Sequence, residues 1–523
     1  MTRTYNLADL FELVAAAVPE RIAVICGEHR RNYAELNRRA DQLAAYLQAQ
    51  GVGEGDTVGL QLYNSAEFLE GFLAACKLRA LPVNINYRYV ADELRYIYDN
   101  ARLKVLLYSA PLQAAVEPLL PEFPGIAVAL SAGEPYEAAL AAAGDYRPAQ
   151  RSDDDITLLY TGGTTGMPKG VMWPHKALFF GALGGGGFYR KEGPISQPEE
   201  IAEVARNSHP LRYLATAPLM HGAAQWATLV ALLAGQTVVL RDRLEFDAEH
   251  VWDLIEAERV NIVMVVGDAM AMPLLAALQA EPKRWRLDAL MHLGSGGGLF
   301  SGHVQEGLRA QLPNAVVSDS MGSSEGGTFG GGAKPAGGEG FIQLAPRPDI
   351  AVVSEDRSRL LGPGETGVLV RVGNVPVGYF GDPEKSAEVF FTLDGVRYTF
   401  TGDVARVAAD GSIIVLGRGS QCINSGGEKV YPEEVEEALH RHPDVADALV
   451  VGVRDERWGQ RVCAVASLKS GATADTESLR SFCRDYLADY KVPKEVQRVE
   501  QVKRSPAGKA DYRWARGRFE SAH

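Results

Sequence analysis

Apolar residues recur at Leu36, Ala40, Leu43 and Leu47, the spacing of one face of a helix. Short uninterrupted apolar runs follow at Thr57–Leu62 and Val105–Tyr108 and read as buried strands. This alternation through the N-terminal part predicts α/β layering with parallel pairing. The middle of the chain continues the pattern, with strands predicted at Thr237–Leu240 and Ile262–Val266. From about Phe341 it changes to short β-like runs separated by Gly and Pro, at Gly367–Val372, Arg397–Phe400 and Ser412–Leu416, which predict a small antiparallel β subdomain. Beyond Gly417 a separate compact unit is expected. Pro432 suits the first turn of a helix that points Val435, Ala438 and Leu439 inward, and Leu479, Phe482, Cys483, Tyr486 and Leu487 follow helical spacing. The expected fold class is α/β, with two layered α/β subdomains and a small β subdomain over residues 1–417, a hinge at 418–421 and a small α+β C-terminal domain over 422–523.

Composition narrows the function classes. A chain of 523 residues is too long for one core. The net charge of -13 offers no general footprint for nucleic acid or an anionic membrane. Cys26, Cys76, Cys422, Cys463 and Cys483 are odd in number and contain no Cys-x-x-Cys pair, which fits a reducing compartment. The N-terminus lacks a signal-peptide apolar core, and the most apolar run, Ala227–Leu240, is too short to span a bilayer and is broken by Gly235 and Gln236. A cytoplasmic protein that does not span a membrane is expected.

The main chemical signal is the decamer Thr161–Gly170, between two predicted strands, Ile156–Tyr160 and Val171–Trp173. It is no Walker A loop, because Lys169 is preceded by Pro168 and followed by Gly170. Gly294–Leu299 likewise lacks the last glycine of a dinucleotide fingerprint. Unhindered N–H groups, hydroxyls and one cation remain, a set suited to the terminal phosphates of a nucleotide. Taken alone, such a stretch is more often a flexible surface turn.

Tyr160–Gly170 resembles the phosphate loop of the acyl-adenylate-forming superfamily, which includes acyl-CoA synthetases, peptide-synthetase adenylation domains and firefly luciferase. The family's other motifs follow in order: Ala217–Gly222, Ser295–Gly298, Ser320–Glu325, Thr401–Asp403, Gly417-Arg418, Ser425–Glu436 and the turn Gly508-Lys509. The resemblance therefore implies an adenylating N-terminal domain and a mobile C-terminal one. It implies that ATP is bound by Thr161, Gly162, Gly163, Thr164, Thr165, Gly166 and Lys169 around the phosphates. Gly296 and Gly297 would lie against the adenine with Met321 beside it, Ser320, Gly322 and Ser324 would complete the nucleotide site, and Asp403 and Arg418 would hold the ribose. The family often has an aromatic where Met321 stands, and methionine would give a softer apolar contact. Glu325, with Thr161, would lie near Mg2+, and His221 beside the acyl carboxylate.

The implied reaction has two halves. A carboxylate attacks the α-phosphorus of ATP to give acyl-AMP and pyrophosphate, with Lys509 bridging the carboxylate and α-phosphate oxygens. A thiol then displaces AMP after the C-terminal domain swings about Ser420, withdrawing Lys509 and presenting Gly426 and Gly427 to a pantetheine channel. The family usually has Asp or Lys at the hinge with an Asp beside it, where this chain has Ser420 and Gln421. The loop Arg454–Gln460, with Trp458, resembles one common in the CoA ligases of the family, so CoA is the expected thiol.

The acid is read from the residues near His221. Gly222, Ala223, Ala224, Gly297 and Gly298 leave room for a long or bulky acyl group, and the sequence around Trp226 is similar to bacterial fatty-acyl-CoA synthetases, including ones acting on steroid side-chain acids. The long stretch between Lys169 and His221 reads equally as a mobile cover over an acyl tunnel or as a solvated insertion. Expected partners are a small carboxylic acid, ATP and CoA, with a homodimer left open. The alternatives are an acyl-AMP ligase that loads a carrier protein, against which the absence of a carrier domain after residue 523 counts, and a non-catalytic nucleotide- or acyl-binding sensor.

Overall fold

The computed structural model describes residues 2–161, 167–298, 300–333, 342–425, 428–455, 459–487, 489–504 and 510–520. Strands Thr57–Gln61 and Leu81–Asn84 are buried throughout, and the helix Ala66–Lys77 crosses between them, so apolar runs and helical periodicity alternate here as a βαβ unit. These strands pair in parallel with Val105–Tyr108 and Ile156–Thr161, and the sheet closes on one side with the antiparallel strands Lys169–Pro174 and Gly378–Tyr379.

A second sheet has a parallel centre made of Arg212–Ala215, Thr237–Leu240, Ile262–Val265, His292–Gly296 and Val316–Ser323. Leu214, Val263, Leu293 and Val317 point to one face, into a core with Trp252, and the opposite face is left for other elements. The later β runs are antiparallel as predicted, yet they form no separate sheet. Strand Ile342–Leu344 joins Gly327–Ala333 to Ile413–Arg418 and so continues the same hydrogen-bonded sheet through Val396–Val407 and Thr366–Val372. A third sheet, of Ile423–Ser425, Glu428–Val430, Val445–Asp455, Gly459–Leu468 and Glu495–Arg498, forms the C-terminal part with helix Pro432–His440.

The stretch before His221 departs from both readings. Ile195, Ile201, Val204 and Ala205 are buried in the core that holds the first helix, Leu7–Ala17, and Arg21 donates to the carbonyl of Ala205 at 2.9 Å. Its helix Ile201–Asn207 is thus neither a cover nor a solvated insertion; the stretch borders the large cleft on either side of that helix, through Gly184, Phe188 and Tyr189 before it and Leu211, Tyr213 and Ala215 after it. In the C-terminal part the helix predicted through Leu487 ends at Arg484, leaving Tyr486 exposed.

Glu436, inside helix Pro432–His440, is 2% exposed, and its Oε1 accepts from the backbone N–H of Val450 at 2.9 Å. Burial, reinforced by neighbouring Glu433, pushes its carboxyl up to about 8. Because the folded value lies above the unfolded one, its contribution to stability is present below the ordinary carboxylate range and is lost as pH rises toward 8. Glu436→Gln, which does not titrate, should therefore gain thermal stability over the parent as pH goes from 5 to about 8. Melting midpoints across that range check this, and a difference that does not change with pH would contradict it.

Candidate active site

Glu325 lies in a turn after strand Val316–Ser323, and buried groups hold the turn from two sides. Trp173 donates its indole N–H to the carbonyl of Ser324 at 2.8 Å. Arg371, fully buried in strand Thr366–Val372, donates to the carbonyl of Gly326 at 2.8 Å and to that of Thr328, and it pairs with Asp349. Burial lowers its guanidinium to about 10 while Asp349 offsets the cost, so the charge persists at neutral pH.

Tyr379, 8% exposed at the edge of the other sheet, donates its hydroxyl to Glu325 Oε1 at 3.0 Å. Its ring lies 5.9 Å from the Lys169 ammonium, which is ion-paired with Asp382. Asp382 also caps helix Pro383–Val389 by accepting from the N–H of Lys385 at 3.0 Å. Glu325 and Lys169, far apart in sequence, thus converge on one tyrosine that sequence reasoning did not find. Thr161 is the cross-strand neighbour of Lys169, at the other end of the same decamer.

His221 precedes helix Gly222–Leu233 and borders the same cleft. Two asparagines not singled out from the sequence hold the approach to it. Asn84 accepts from the N–H of Tyr160 at 2.7 Å and donates to the carbonyls of Tyr160 and Met220; Asn64 accepts from the N–H of Leu219 at 2.8 Å and donates to the carbonyl of Ala217 at 3.1 Å. No periodicity or motif marks them, because their partners lie many residues away.

The wall expected to take adenine is built by neighbouring strands. Gly296 pairs in register with Ser320, whose Oγ donates to the carbonyl of Ser295 at 2.6 Å, and a Cβ on Gly296 would stand 2.8 Å from that Oγ. Gly297 follows at φ +84°, a conformation that favours glycine. Met321 packs partly against Phe329 and Ile342, and Gly322 and Ser324 follow along the cleft. Asp403, 4% exposed, is the cross-strand partner of Arg418, so the two residues expected on the ribose share one rung of the sheet. Burial pushes the carboxyl of Asp319, which accepts from the N–H of Ser320 next to it in the chain, up to about 7.

These groups border a continuous cleft of about 2660 Å³. From the C-terminal part Lys503, Arg504, Ala510 and Asp511 also line it, and the two parts meet where the rings of His303 and His440 stack at 5.9 Å. Gly162, Gly163, Thr164, Thr165, Gly166, Gly426, Gly427, Trp458 and Lys509 lie outside the described residues, as do the side chains of Arg418 and Ser420. Among the described residues no group of three or more His, Cys, Asp or Glu could hold a metal ion. Glu325 with Thr161 instead suits an ion that keeps water and phosphate ligands and takes few from the protein.

From His221 the cleft continues between a helix and a sheet. Ala223, Trp226, Ala227 and Val230 form one stripe of helix Gly222–Leu233, and Ala215, Met264 and Gly294 face it from adjacent parallel strands. A Cβ on Gly294 would stand 2.6 Å from Met264 Sδ, so glycine keeps this floor open. Trp226 also packs edge-on against Trp173, which joins this passage to the Glu325 turn.

Comparison with known proteins places this geometry. Residues 11–380 match the model of the AMP-binding enzyme family, and residues 434–509 match that of the AMP-binding enzyme C-terminal domain. The chain is 44% identical to a medium/long-chain-fatty-acid–CoA/3-oxocholest-4-en-26-oate–CoA ligase of Mycobacterium tuberculosis, over 100% of this chain and 97% of the relative. It is 42% identical to a 3-oxocholest-4-en-26-oate–CoA ligase of Rhodococcus rhodochrous, over 98% and 95%. ATP-bound MatB from Rhodopseudomonas palustris has the same fold, with a TM-score of 0.83, 25% identity and 99% of each chain covered.

Removing the Arg371 side chain leaves the carbonyls of Gly326 and Thr328 without their buried donor, while Asp349 keeps its pair with Arg347. Arg371→Met should cost roughly 1–3 kcal/mol of stability for each buried carbonyl left unpaired. Urea unfolding checks this, and a loss within experimental scatter would show that the turn does not depend on Arg371.

Proposed function

The chain belongs to the AMP-binding enzyme family, and from that membership we propose how its residues run the reaction and which acid it takes. The protein is an AMP-forming acyl-CoA ligase, with a carboxylic acid, ATP and CoA as substrates. The acid is a medium- or long-chain fatty acid or a steroid side-chain acid, a reading supported by the relatives' substrates and by the apolar passage leading from His221. A hydrophobic acid would lie in that passage with its carboxylate toward His221.

In the first half-reaction a carboxylate oxygen attacks the α-phosphorus and pyrophosphate leaves. Lys169 and the hydroxyls of Thr164 and Thr165 would hold the leaving group. Lys169 would exchange its Asp382 contact for phosphate, a short-range switch from one anion to another. Asp403 and Arg418 would fix the ribose, and the Gly296–Ser320 wall would bound the adenine. Mg2+ arriving with ATP would neutralise phosphate charge when held near Glu325 and Thr161. The work of the protein is then positioning and electrostatics, with no covalent enzyme intermediate.

Lys509 would bridge the carboxylate and α-phosphate in this half-reaction. Support comes from its chain neighbours on both sides, Lys503, Arg504, Ala510 and Asp511, which line the cleft. In the second half-reaction the sulfur of CoA attacks the acyl carbonyl and AMP leaves, after rotation of the C-terminal part about Ser420 brings Gly426, Gly427 and Trp458 to the pantetheine. The same reading places the domain boundary at 417/418, the hinge at 418–421 and the enzyme in the cytoplasm. A homodimer is compatible with it.

The observation that carries the proposal is the convergence of Glu325 and Lys169 on Tyr379 beside a cleft that continues into an apolar passage. A panel of acids assayed for pyrophosphate exchange and for AMP release with and without CoA tests it. Lys509→Ala should reduce adenylation by at least about a hundredfold while CoA still consumes supplied acyl-AMP. Equal loss in both half-reactions would contradict the division of roles.

A further inference from the structure

The acid and ATP are separate molecules when they react, and the elements proposed to hold them belong to different sheets. Tyr160 and Thr161 end a strand of the first sheet, at the base of the decamer proposed to hold the phosphates. His221 closes the connection 216–221, which leaves strand Arg212–Ala215 of the second sheet and enters helix Gly222–Leu233. Asn84 reaches both. It is the last residue of strand Leu81–Asn84, whose backbone pairs with Ile156–Thr161 at Val83 and Leu158. One residue further on, the Asn84 side chain stands in for a peptide group. Its Oδ1 accepts from the N–H of Tyr160 at 2.7 Å, and its Nδ2 donates to the carbonyl of Tyr160 at 3.1 Å and to that of Met220, the residue before His221. Both protons of the carboxamide and its oxygen are thereby engaged.

Asn64, just beyond strand Thr57–Gln61 of the same first sheet, grips the connection a second time. It accepts from the N–H of Leu219 at 2.8 Å and donates to the carbonyl of Ala217 at 3.1 Å. The two layers also touch directly. A Cβ on Gly222 would stand 2.9 Å from Leu159 Cδ2, so glycine lets the helix start press against the strand that carries Tyr160. The next rung of that strand pairs Thr161 with Lys169, the two ends of the decamer. Two short, uncharged amides therefore brace the backbone beside His221 against the backbone beneath the decamer, and they do so from a strand end that is 5% exposed at Asn84.

We infer that Asn84 and Asn64 are positioning residues of the adenylation step, setting the separation between the acid's carboxylate at His221 and the triphosphate at the decamer. They act through Tyr160, Ala217, Leu219 and Met220, not on the reacting atoms. A misplacement of about 1 Å between two reactants costs on the order of a hundredfold in rate, even where each is still bound. In the second half-reaction the acyl group and AMP are already one molecule, so the brace has no separation left to set. The inference rests on the acyl-CoA ligase reading and assigns roles within it.

The test uses the full chain, the acid that supports the fastest pyrophosphate exchange, and the acyl-AMP of that acid. Asn84→Asp keeps the size of the side chain and its acceptor for Tyr160 but turns the donor into a carboxylate oxygen facing two carbonyls. Asn64→Ala removes the second grip at a half-buried position. Asn84→Asp should lower kcat for exchange about a hundredfold and Asn64→Ala about tenfold, with KM for ATP and for the acid within roughly threefold of the parent. CoA should consume supplied acyl-AMP at close to the parental rate in both variants. Unchanged exchange, equal loss in both half-reactions, or a loss carried by KM with kcat kept overturns the inference, because a merely structural asparagine would weaken binding and both steps together. If Asn84→Asp does not fold, as melting would show, Asn64→Ala decides by the same criteria. If the parent exchanges pyrophosphate with no acid, the ligase reading itself falls, and the inference with it.

Discussion

The buried guanidinium of Arg371 is the constraint on which the site depends. A turn that aims a carboxylate into a cleft must expose some backbone polar groups to the interior, and here one side chain takes up the carbonyls of Gly326 and Thr328. An arginine without a counterion would be costly at that depth, and Asp349 supplies one. The same arginine lies over the ring of Phe329, 4.9 Å from its centroid, and so ties the turn to the β layer that also carries Asp403. Glu325 and the residues expected on the ribose are therefore positioned by one continuous sheet.

Much of the fold was legible because residue type and spacing express burial directly. The apolar runs at Thr57–Leu62 and Val105–Tyr108 could be nothing but inner strands once helices alternated with them. Where the reading fell short, pairing partners were distant. Nothing in the short β runs after Phe341 says whether they close on themselves or join a sheet begun at His292, since register is decided by contacts across the chain. The polar segment Lys191–Arg212, within the stretch between Lys169 and His221, read equally as part of a mobile cover or of a solvated insertion. Yet its few apolar residues, Ile195, Ile201, Val204 and Ala205, are the ones that matter, and they bury against the first helix.

The site divides in the same way. Glycines, hydroxyls and acids that would contact a nucleotide announce themselves by motif, and Gly296, Ser320, Glu325 and Asp403 border one cleft. The residues that hold them in place do not. Asn84, Tyr379, Asp382 and Arg371 each work through a partner from another element, so a strand such as Thr366–Val372 looks like an ordinary apolar run interrupted by one arginine. Chemistry is written locally, and positioning is written in long-range pairs.

The parallel strands beneath the passage proposed for the acid would act as a graduated ruler. Gly296, proposed to bound the adenine, lies at their C-terminal ends, and Tyr213 and His292 lie near the opposite ends, so in the proposed reading substrate length would be measured against a fixed lattice. Floor positions recur every second residue, about 6.6 Å apart. Gly294 is the middle mark, kept blank so that Met264 can lie across it. A family member could change the length of acid it accepts in discrete increments by filling or clearing such marks, leaving the strand ends that serve the nucleotide untouched.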